Sequence, residues 1–292
     1  MKSPREPQSQ KRGVVADIWR RFKKNRTAMG GLVVLGIILF FVVFADFVAD
    51  YNTQAIFQNT ASRLQPPSKA HIFGTDEYGR DIFARVLFGA RNSLFLAFSA
   101  TFIALFIAVV IGSIAAFYGG FVDSAIMRIL DMFMGIPLIL LAIAISASLG
   151  PGVRNMTLAI TIAQVPIFTR VTRSAILNVV GQEYVEAAKA YGSSDYELIA
   201  FHILPNVIGL IIVQATMAIS TMILTIAALS YIGLGMQPPA PELGSMLNDG
   251  KEFMRYSPFL VISPGLTIAI IALSLNLLGD GLRDALDPRL KN

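Results

Sequence analysis

Few residues of this sequence have the types and spacing that catalysis, nucleotide binding or metal binding requires. The 292 residues include no cysteine and two histidines, His71 and His202, so a cysteine-based redox or metal site is excluded. No H-E-x-x-H motif occurs, and the nearest approach to a phosphate-binding loop, at Gly244, Gly250 and Lys251, has the wrong spacing and continues into a glutamate. We therefore expect no catalytic residue, no cofactor and no bound metal ion.

The most distinctive polar segment is an insert between apolar stretches, residues 183–206, hereafter "the insert". It opens with strong helix formers, and Gly192 then permits a tight turn. Ser194 and Glu197 have the spacing of a capping box, which starts a second helix. Pro205 is expected to end that helix, because a proline disfavours helical geometry in the preceding residue. The pattern predicts two short helices joined by a hinge, either as a working lever or as an ordinary interfacial helix.

The overall composition indicates whether the insert belongs to a soluble protein or to a membrane protein. Hydrophobic residues make up 54% of the chain, charged residues only 15%, and the mean hydropathy is +0.62, which is the balance of a membrane protein. The net charge is +5, yet nine of the 24 Lys and Arg residues precede residue 27 and an apolar run follows them. That placement follows the positive-inside rule, so we expect a lipid bilayer and no nucleic acid as partner.

Six apolar runs are long enough to cross a bilayer, which takes roughly 20 residues. They cover residues 28–48, 93–118, 125–149, 156–180, 207–232 and 259–278. With the N-terminus inside, the inner segments hold 16 Lys and Arg residues and the outer segments hold 8. The predicted fold is an all-α membrane protein with six transmembrane helices and both termini in the cytoplasm.

This topology also predicts the domain organisation. Residues 1–27 form a basic cytoplasmic tail with an interfacial helix, and residues 28–292 form the transmembrane domain. Within that domain, residues 50–92 are an external loop. The insert is a cytoplasmic connection between spans four and five.

Within the insert, six residues have the spacing of the EAA motif, and the segment resembles the EAA loop of bacterial ATP-binding cassette importer permeases. They are Glu186, Ala187, Ala188, Gly192, Leu204 and Pro205. His202 stands where the broad pattern has isoleucine, a familiar variant among peptide-type permeases. The resemblance implies that the insert is a coupling helix, which docks into a cleft on a cytoplasmic ATPase subunit and transmits its nucleotide-driven closure.

Three further stretches resemble the dipeptide, oligopeptide and nickel branch of these permeases, specifically its second ("C"-type) subunit. They are GTDEYGRD at 74–81 with GARNSL at 89–94, the proline-containing stretch 229–250, and NLLGDGLRDALDPRLK at 276–291. Leu243 departs from the pattern, since relatives often carry tryptophan there.

The resemblance implies a bacterial or archaeal cytoplasmic membrane and three kinds of partner. These are a homologous permease subunit, two ATP-binding cassette ATPase subunits and an extracytoplasmic substrate-binding protein. The substrate is expected to be a dipeptide or oligopeptide, with nickel or another small solute as the alternative. An ATP-independent secondary transporter and an intramembrane enzyme are the competing classes. The enzyme is disfavoured because Asp280 lacks the earlier glycine of a G-x-G-D motif.

Two of these stretches provide candidates for an external docking surface or gate. They are Asp76, Arg80, Asp81, Pro238 and Pro239. The alternative for the first stretch is purely structural, with Thr75 and Asp76 capping a helix and Asp81 pairing with Arg85 at i,i+4. For the second stretch, prolines predict irregular backbone, which at membrane depth must be buried or line water, or else an ordinary outer loop.

Charged residues also fall close to the predicted inner surface of the bilayer. Asp131 lies one turn from Arg128, and we expect these two to form a snorkelling pair in preference to a proton relay. Arg170 and Arg173 are expected to anchor span four at the interface.

Overall fold

The structure, a computed structural model, describes residues 14–286. The basic residues before Val14 and those after Leu286 lie outside it. Apart from one isolated bridge between Thr75 and Asp81, the described part contains helices and loops. The α-helices are α1 Val14–Phe22, α2 Arg26–Val43, α3 Ala45–Val48, α4 Ile82–Tyr118, α5 Gly120–Met134, α6 Leu138–Leu149, α7 Val153–Leu177, α8 Glu183–Ala190, α9 Asp195–Glu197, α10 Leu204–Tyr231, α11 Leu243–Gly250 and α12 Phe259–Leu286.

Four helical segments are long and apolar enough to cross a membrane. They are Arg26–Val43, Ile82–Tyr118, Asp195–Tyr231 and Phe259–Leu286, and the bent pair α5–α6 would make a fifth span. The described chain is therefore an all-helical membrane protein with four to five candidate spans. Helix α7 has 25 residues but is less apolar than these four segments, because it contains Asn155, Gln164 and four threonines as well as three arginines.

The third predicted span, 125–149, is not one straight helix. Helices α5 and α6 are bent by 83° at the break between them. Pro137 occupies the start of α6 in extended geometry, and a proline disfavours helical geometry at the residue before it, here Ile136. Gly135 ends α5 by donating its N–H to the Asp131 carbonyl at 3.0 Å. The sequence prediction missed this bend because it weighed apolar length above the Gly-x-Pro break.

Helix α4 begins at Ile82, well before the predicted start of span two at residue 93. Asp81 caps it, since its Oδ1 accepts the Ala84 N–H at 2.8 Å and satisfies one of the free amides of the first turn. Residues 82–92, predicted as the end of an external loop, are therefore helical and largely buried.

Helices α4 and α7 have the most extensive contact of any helix pair in the described residues. A row of small residues on α4 is buried there, namely Ala97, Ala100, Ala104, Ala108 and Gly112. A Cβ added to Gly112 would lie 3.0 Å from the Thr169 carbonyl oxygen on α7. Small residues let helix backbones approach closely in a membrane, so these positions hold α4 and α7 together as a unit.

The N-terminal helix α1 packs against the end of the last helix. Phe22 and Ala28 are buried beside Ala285, and a Cβ at Gly281 would lie 2.2 Å from the Ala28 Cβ. Asn25 donates from its amide to Asp284 Oδ2 at 3.1 Å. The helix expected at the end of the basic tail is thus present from Val14 onward and is fixed to α12.

Candidate coupling and outer sites

The first half of the insert has the local structure that its sequence predicts. Helix α8 covers Glu183–Ala190, and Gly192 follows with a φ of +90°, a backbone conformation that side-chain-bearing residues rarely adopt. The capping box is formed, because Ser194 Oγ accepts the Glu197 N–H at 3.3 Å and Glu197 Oε2 accepts the Ser194 N–H at 2.8 Å. The predicted turn at Gly192 and the predicted helix start at Ser194 are confirmed.

The predicted stop at Pro205 was wrong. The chain continues from α9 through a π-helical turn, Leu198–Ile203, directly into α10, so that residues 195–231 form one helical path. Pro205 lies in the first turn of α10, and because it has no N–H it cannot donate a hydrogen bond to the turn before it. The π turn precedes it, and such turns commonly adapt a helix around an interrupted bonding ladder. The second part of the insert is therefore rigidly continuous with a span.

The insert is held to the bundle by a small apolar cluster. Val185 from α8 and Leu198 and Ile203 from the π turn are buried against Ile176 of α7 and Ala116 of α4. Among the EAA residues, Glu186 and Ala187 are exposed and Ala188 is half-buried. This division leaves one face of α8 free while the other is fixed.

Exposed aromatic side chains flank the EAA residues, and the sequence analysis missed them. Tyr191 is 92% exposed, Tyr196 73% and Phe201 66%. The signal was available, since these aromatics fall in a polar helical segment away from its buried positions. Exposed aromatic groups are characteristic of protein interfaces.

Two ion pairs join α5 to α7 near the insert. Asp131 pairs with Arg170, and Asp123 accepts hydrogen bonds from two guanidinium nitrogens of Arg173. The expected pair of Asp131 with Arg128 was therefore wrong. Its prediction considered only neighbours on one helix, whereas the bundle brings α7 alongside α5.

At the opposite end of the bundle, Asp76 organises the 74–81 turn. Its Oδ1 accepts the backbone N–H groups of Tyr78 and Arg80 at 2.9 Å, and its Oδ2 accepts Arg80 Nε at 2.6 Å. Gly79 fits this turn with a φ of +75°, and a Cβ there would lie 1.8 Å from the Asn59 carbonyl oxygen. Asp76 thus caps a turn and not a helix, contrary to the structural alternative considered above.

Arg85 connects this turn to the proline loop. It lies 3.4 Å from Asp76 Oδ2 and donates from Nη1 to the carbonyls of Ala55 at 2.9 Å and Pro239 at 3.3 Å. The expected pair of Asp81 with Arg85 was wrong, because Asp81 caps α4 and contacts His71 Nδ1 at 2.8 Å. Asp76, Arg80 and Arg85, all buried, are hereafter "the outer cluster".

A second buried carboxylate, Glu242, attaches the proline loop to α4. It accepts Ser93 Oγ at 2.8 Å from α4 and the Ser245 N–H at 2.9 Å in the first turn of α11. Asn92 donates to the Pro241 carbonyl at 2.7 Å. Leu243, the departure from the family pattern, is fully buried in the main core. The segment containing Pro238 and Pro239 is therefore tied to α4 by several hydrogen bonds.

An open cleft of about 620 Å³ adjoins the outer cluster. Glu77 and Asp249 line it, facing Arg63 and Lys251. Burial raises the pKa of the Glu77 carboxyl above its ordinary value, and the neighbouring Asp76 charge adds to the rise. Burial likewise raises the pKa of Asp249. Desolvation disfavours the charged carboxylate in both cases.

Comparison with known proteins identifies the family of this bundle. Residues 108–292 match the family described as the binding-protein-dependent transport system inner membrane component. Residues 14–67 match the N-terminal transmembrane domain of oligopeptide transport permease C. The chain belongs to this permease family. It is a membrane-embedded permease subunit of an ATP-binding cassette importer, located in the cell membrane.

Individual relatives cover nearly the whole chain. The dipeptide transport system permease protein DppC of Alkalihalophilus pseudofirmus is 43% identical over 99% of this chain and 96% of its own length. The glutathione transport system permease protein GsiD of Escherichia coli is 42% identical over 94% of this chain and 90% of its own. A solved inward-facing MetNI methionine ABC transporter chain has a TM-score of 0.58 at 18% identity. It covers 70% of this permease and 98% of that chain, and it shows a shared fold.

Proposed function

We propose that this permease subunit has six spans, with both termini and the insert in the cytoplasm. The bent pair α5–α6 and helix α7 supply the two spans beyond the four long apolar helices. Helix α7, with 25 residues, is about 37 Å long at 1.5 Å per residue, enough for the roughly 30 Å hydrocarbon core. The excess of Lys and Arg residues in the inner segments supports this orientation.

In this arrangement the insert is the coupling element, to which a cytoplasmic ATPase subunit binds. The observation that carries this proposal is the two-sided character of the insert. Val185 and Leu198 fix it to α4 and α7, while Ala187 and Tyr191 remain exposed. The ATPase-binding surface also includes Glu186, Ala188 and Gly192. Leu204 and Pro205 connect the insert to α10. A rigid connection of this kind passes a displacement to the spans instead of absorbing it.

The partners in this proposal are a homologous permease subunit, two ATPase subunits and an extracytoplasmic binding protein. The substrates are small peptides, because relatives at 40% identity or more include a dipeptide permease, a di/tripeptide permease and a permease for glutathione, itself a tripeptide. ATP binding and hydrolysis change which side of the membrane the path opens to. They do so through the different contacts that the ATPases make in their two states.

The outer cluster and its neighbours form the rigid base of the external gate, where the binding protein docks. Asp76 and Arg80 hold the 74–81 turn, and Asp81 begins α4. Through Arg85 and the Pro239 carbonyl, this base is continuous with the proline loop. Pro238 and Pro239 restrict that loop, so the surface offered to the binding protein is preformed.

Crosslinking tests the coupling proposal directly. The chain has no cysteine, so Ala187→Cys creates a single thiol in this subunit, which is reconstituted in proteoliposomes with its partner subunits. A cysteine-reactive crosslinker should capture an ATPase subunit from Ala187→Cys and not from Tyr256→Cys, an exposed position at the other end. Modification by a membrane-impermeant maleimide should place these two thiols on opposite sides. Equal capture from both positions, or labelling from the same side, would refute the proposal.

A further inference from the structure

The corner between α4 and α5 lies directly beside the insert. Gly119 and Gly120 form it with φ values of +62° and +51°, a region where glycine is the favoured residue. Just before it, Tyr118 donates from its hydroxyl to Asp195 Oδ2 at 3.0 Å. Asp195 is the first residue of α9, so the corner is hydrogen-bonded to the second half of the insert.

Helix α5, which leaves this corner, is tied to the helix that enters the insert. Arg173 forms an ion pair with Asp123 in the first turn of α5. Arg170 forms a second ion pair with Asp131, about two turns further along the same helix. Helix α7 ends at Leu177 and α8 begins at Glu183, so Arg173 lies close to the start of the insert. The two arginines therefore connect α5 to the part of α7 that leads into the insert.

The α5–α6 pair has few other attachments in the described chain. Its closest packing is against α4 and α7, whereas α2 and α12 pack against each other, and α12 also packs against α10. Both helices that hold the pair end at the insert or at its hydrogen-bonded corner. These side-chain contacts thus form a continuous connection from the insert to α5, and α6 meets α5 at the break before Pro137.

We propose that the bent pair α5–α6 is the element that the insert moves during transport, and that Tyr118, Asp123, Arg173 and Asp195 are the positioning residues that link them. This inference rests on the proposed coupling role of the insert. The residues contact neither substrate nor nucleotide. They determine whether a movement imposed by the ATPases reaches the broken span.

Charge exchange between α5 and α7 tests the link in the complete transporter complex. Asp123→Arg and Arg173→Asp each place like charges together, so peptide uptake per ATP hydrolysed should fall roughly fivefold or more in proteoliposomes, a typical size for coupling between two sites. The double exchange Asp123→Arg with Arg173→Asp restores the pair in reverse and should recover most of the loss. A purely structural defect would change the amount of assembled complex, not the ratio of uptake to ATP hydrolysis.

The matched control is the exposed pair Asp46–Arg91, whose charged atoms lie 2.9 Å apart at the other end of α4. Exchanging those charges should leave the ratio unchanged. Tyr118→Phe, which keeps the ring and removes only the donor, should lower the ratio less than the single charge reversals.

Ala187→Cys crosslinking, repeated in each variant, separates this inference from the proposed function. Capture of the ATPase with an uncoupled single variant and a restored double variant supports the link. Normal coupling in the single variants, or no recovery in an assembled double variant that still crosslinks, would overturn the link while leaving the coupling role of the insert intact. Loss of the crosslink in the otherwise unaltered chain would instead count against the coupling role.

Discussion

The outer cluster and the insert use charged and aromatic residues in opposite ways. In the outer cluster, Arg85 is 3% exposed and its guanidinium contacts three separate segments. In the insert, Glu186 and Tyr191 face solvent, and the side chains buried against the bundle, such as Val185 and Leu198, are apolar. Buried charges therefore fix the outer loops, whereas the exposed charge and ring of the insert remain available for the partner that we propose.

The largest effect should come from breaking the outer cluster. Arg85→Ala leaves the buried Asp76 carboxylate without one of its partners and removes donors from two carbonyls, so we expect a loss of about 3–5 kcal/mol in unfolding free energy. Thermal unfolding in detergent measures it. The control, Arg91→Ala, removes an exposed pair with Asp46 and should cost at most about 1 kcal/mol. Similar losses in the two variants would contradict the contrast between buried and exposed charge.

The insert should show the reverse behaviour, a loss of binding without a loss of stability. Tyr191→Ala removes an exposed ring, so the unfolding temperature should stay within error. Affinity for the ATPase subunit should fall roughly tenfold or more if this ring is an interface hot spot. Binding of the purified ATPase to the permease in nanodiscs measures it. Tyr256→Ala, a 79% exposed ring at the outer end, should leave ATPase binding unchanged, and a reduction there would undermine the assignment of faces.

A smaller change tests the hinge. Gly192→Val forces a β-branched residue into a φ of +90°, at a cost of about 1–2 kcal/mol or a rearranged turn, so transport should be lost while membrane insertion persists. Gly181→Val is the matched control, because Gly181 has similarly open surroundings without the positive φ. Peptide uptake in proteoliposomes compares them. Normal uptake by Gly192→Val would show that the hinge angle is unimportant.

The smallest effect should be the pH response of the outer region. Folding raises the pKa of Glu77 and Asp249, so the folded state retains protons more readily than the unfolded state. The unfolding free energy should therefore increase as the pH falls from neutral through the raised pKa values of these two carboxyl groups. The increase is complete once the pH is below their ordinary pKa values, 4.5 for Glu77 and 3.8 for Asp249. Thermal unfolding between neutral and mildly acidic pH measures this, and Glu77→Gln should flatten the response.

Asp50 provides the sign control for that experiment. Hydrogen bonds from the backbone N–H and side chain of Thr53 lower the pKa of Asp50. Its contribution to the unfolding free energy is therefore present at neutral pH and is lost as the pH falls through that lowered pKa. Asp50→Asn should therefore increase the net gain on acidification, opposite to Glu77→Gln. Shifts of the same sign in both variants would contradict the assigned causes.

Local features of the fold were predictable because their partners are close in sequence. The Ser194–Glu197 capping box joins residues three apart, and the turn at Gly192 depends on one residue's own backbone. The ends of α4 at Tyr118 and α6 at Leu149 coincide with the predicted span ends. The Gly135–Pro137 break was visible in the sequence and was outweighed by apolar length.

The candidate sites were predictable as segments and not as contacts. Arg85 was assigned to Asp81 and Asp131 to Arg128 because both pairs satisfy helical spacing, yet the side chains of Arg85, Asp81 and Asp131 bond elsewhere. Their partners lie on other segments, as with Arg85 and Pro239, 154 residues apart. A short sequence pattern does not indicate which of several opposite charges will lie next to a given residue once the helices have packed.

The sequence by itself determined the membrane environment, the helical class and the family, because apolar content, helix signals and motif spacing are properties of contiguous residues. The tertiary structure decided which charges are buried together, where a span bends and how the insert is fastened. Those outcomes depend on which helix faces meet, and the desolvation and pairing of a charge are settled only when its neighbours in space are known.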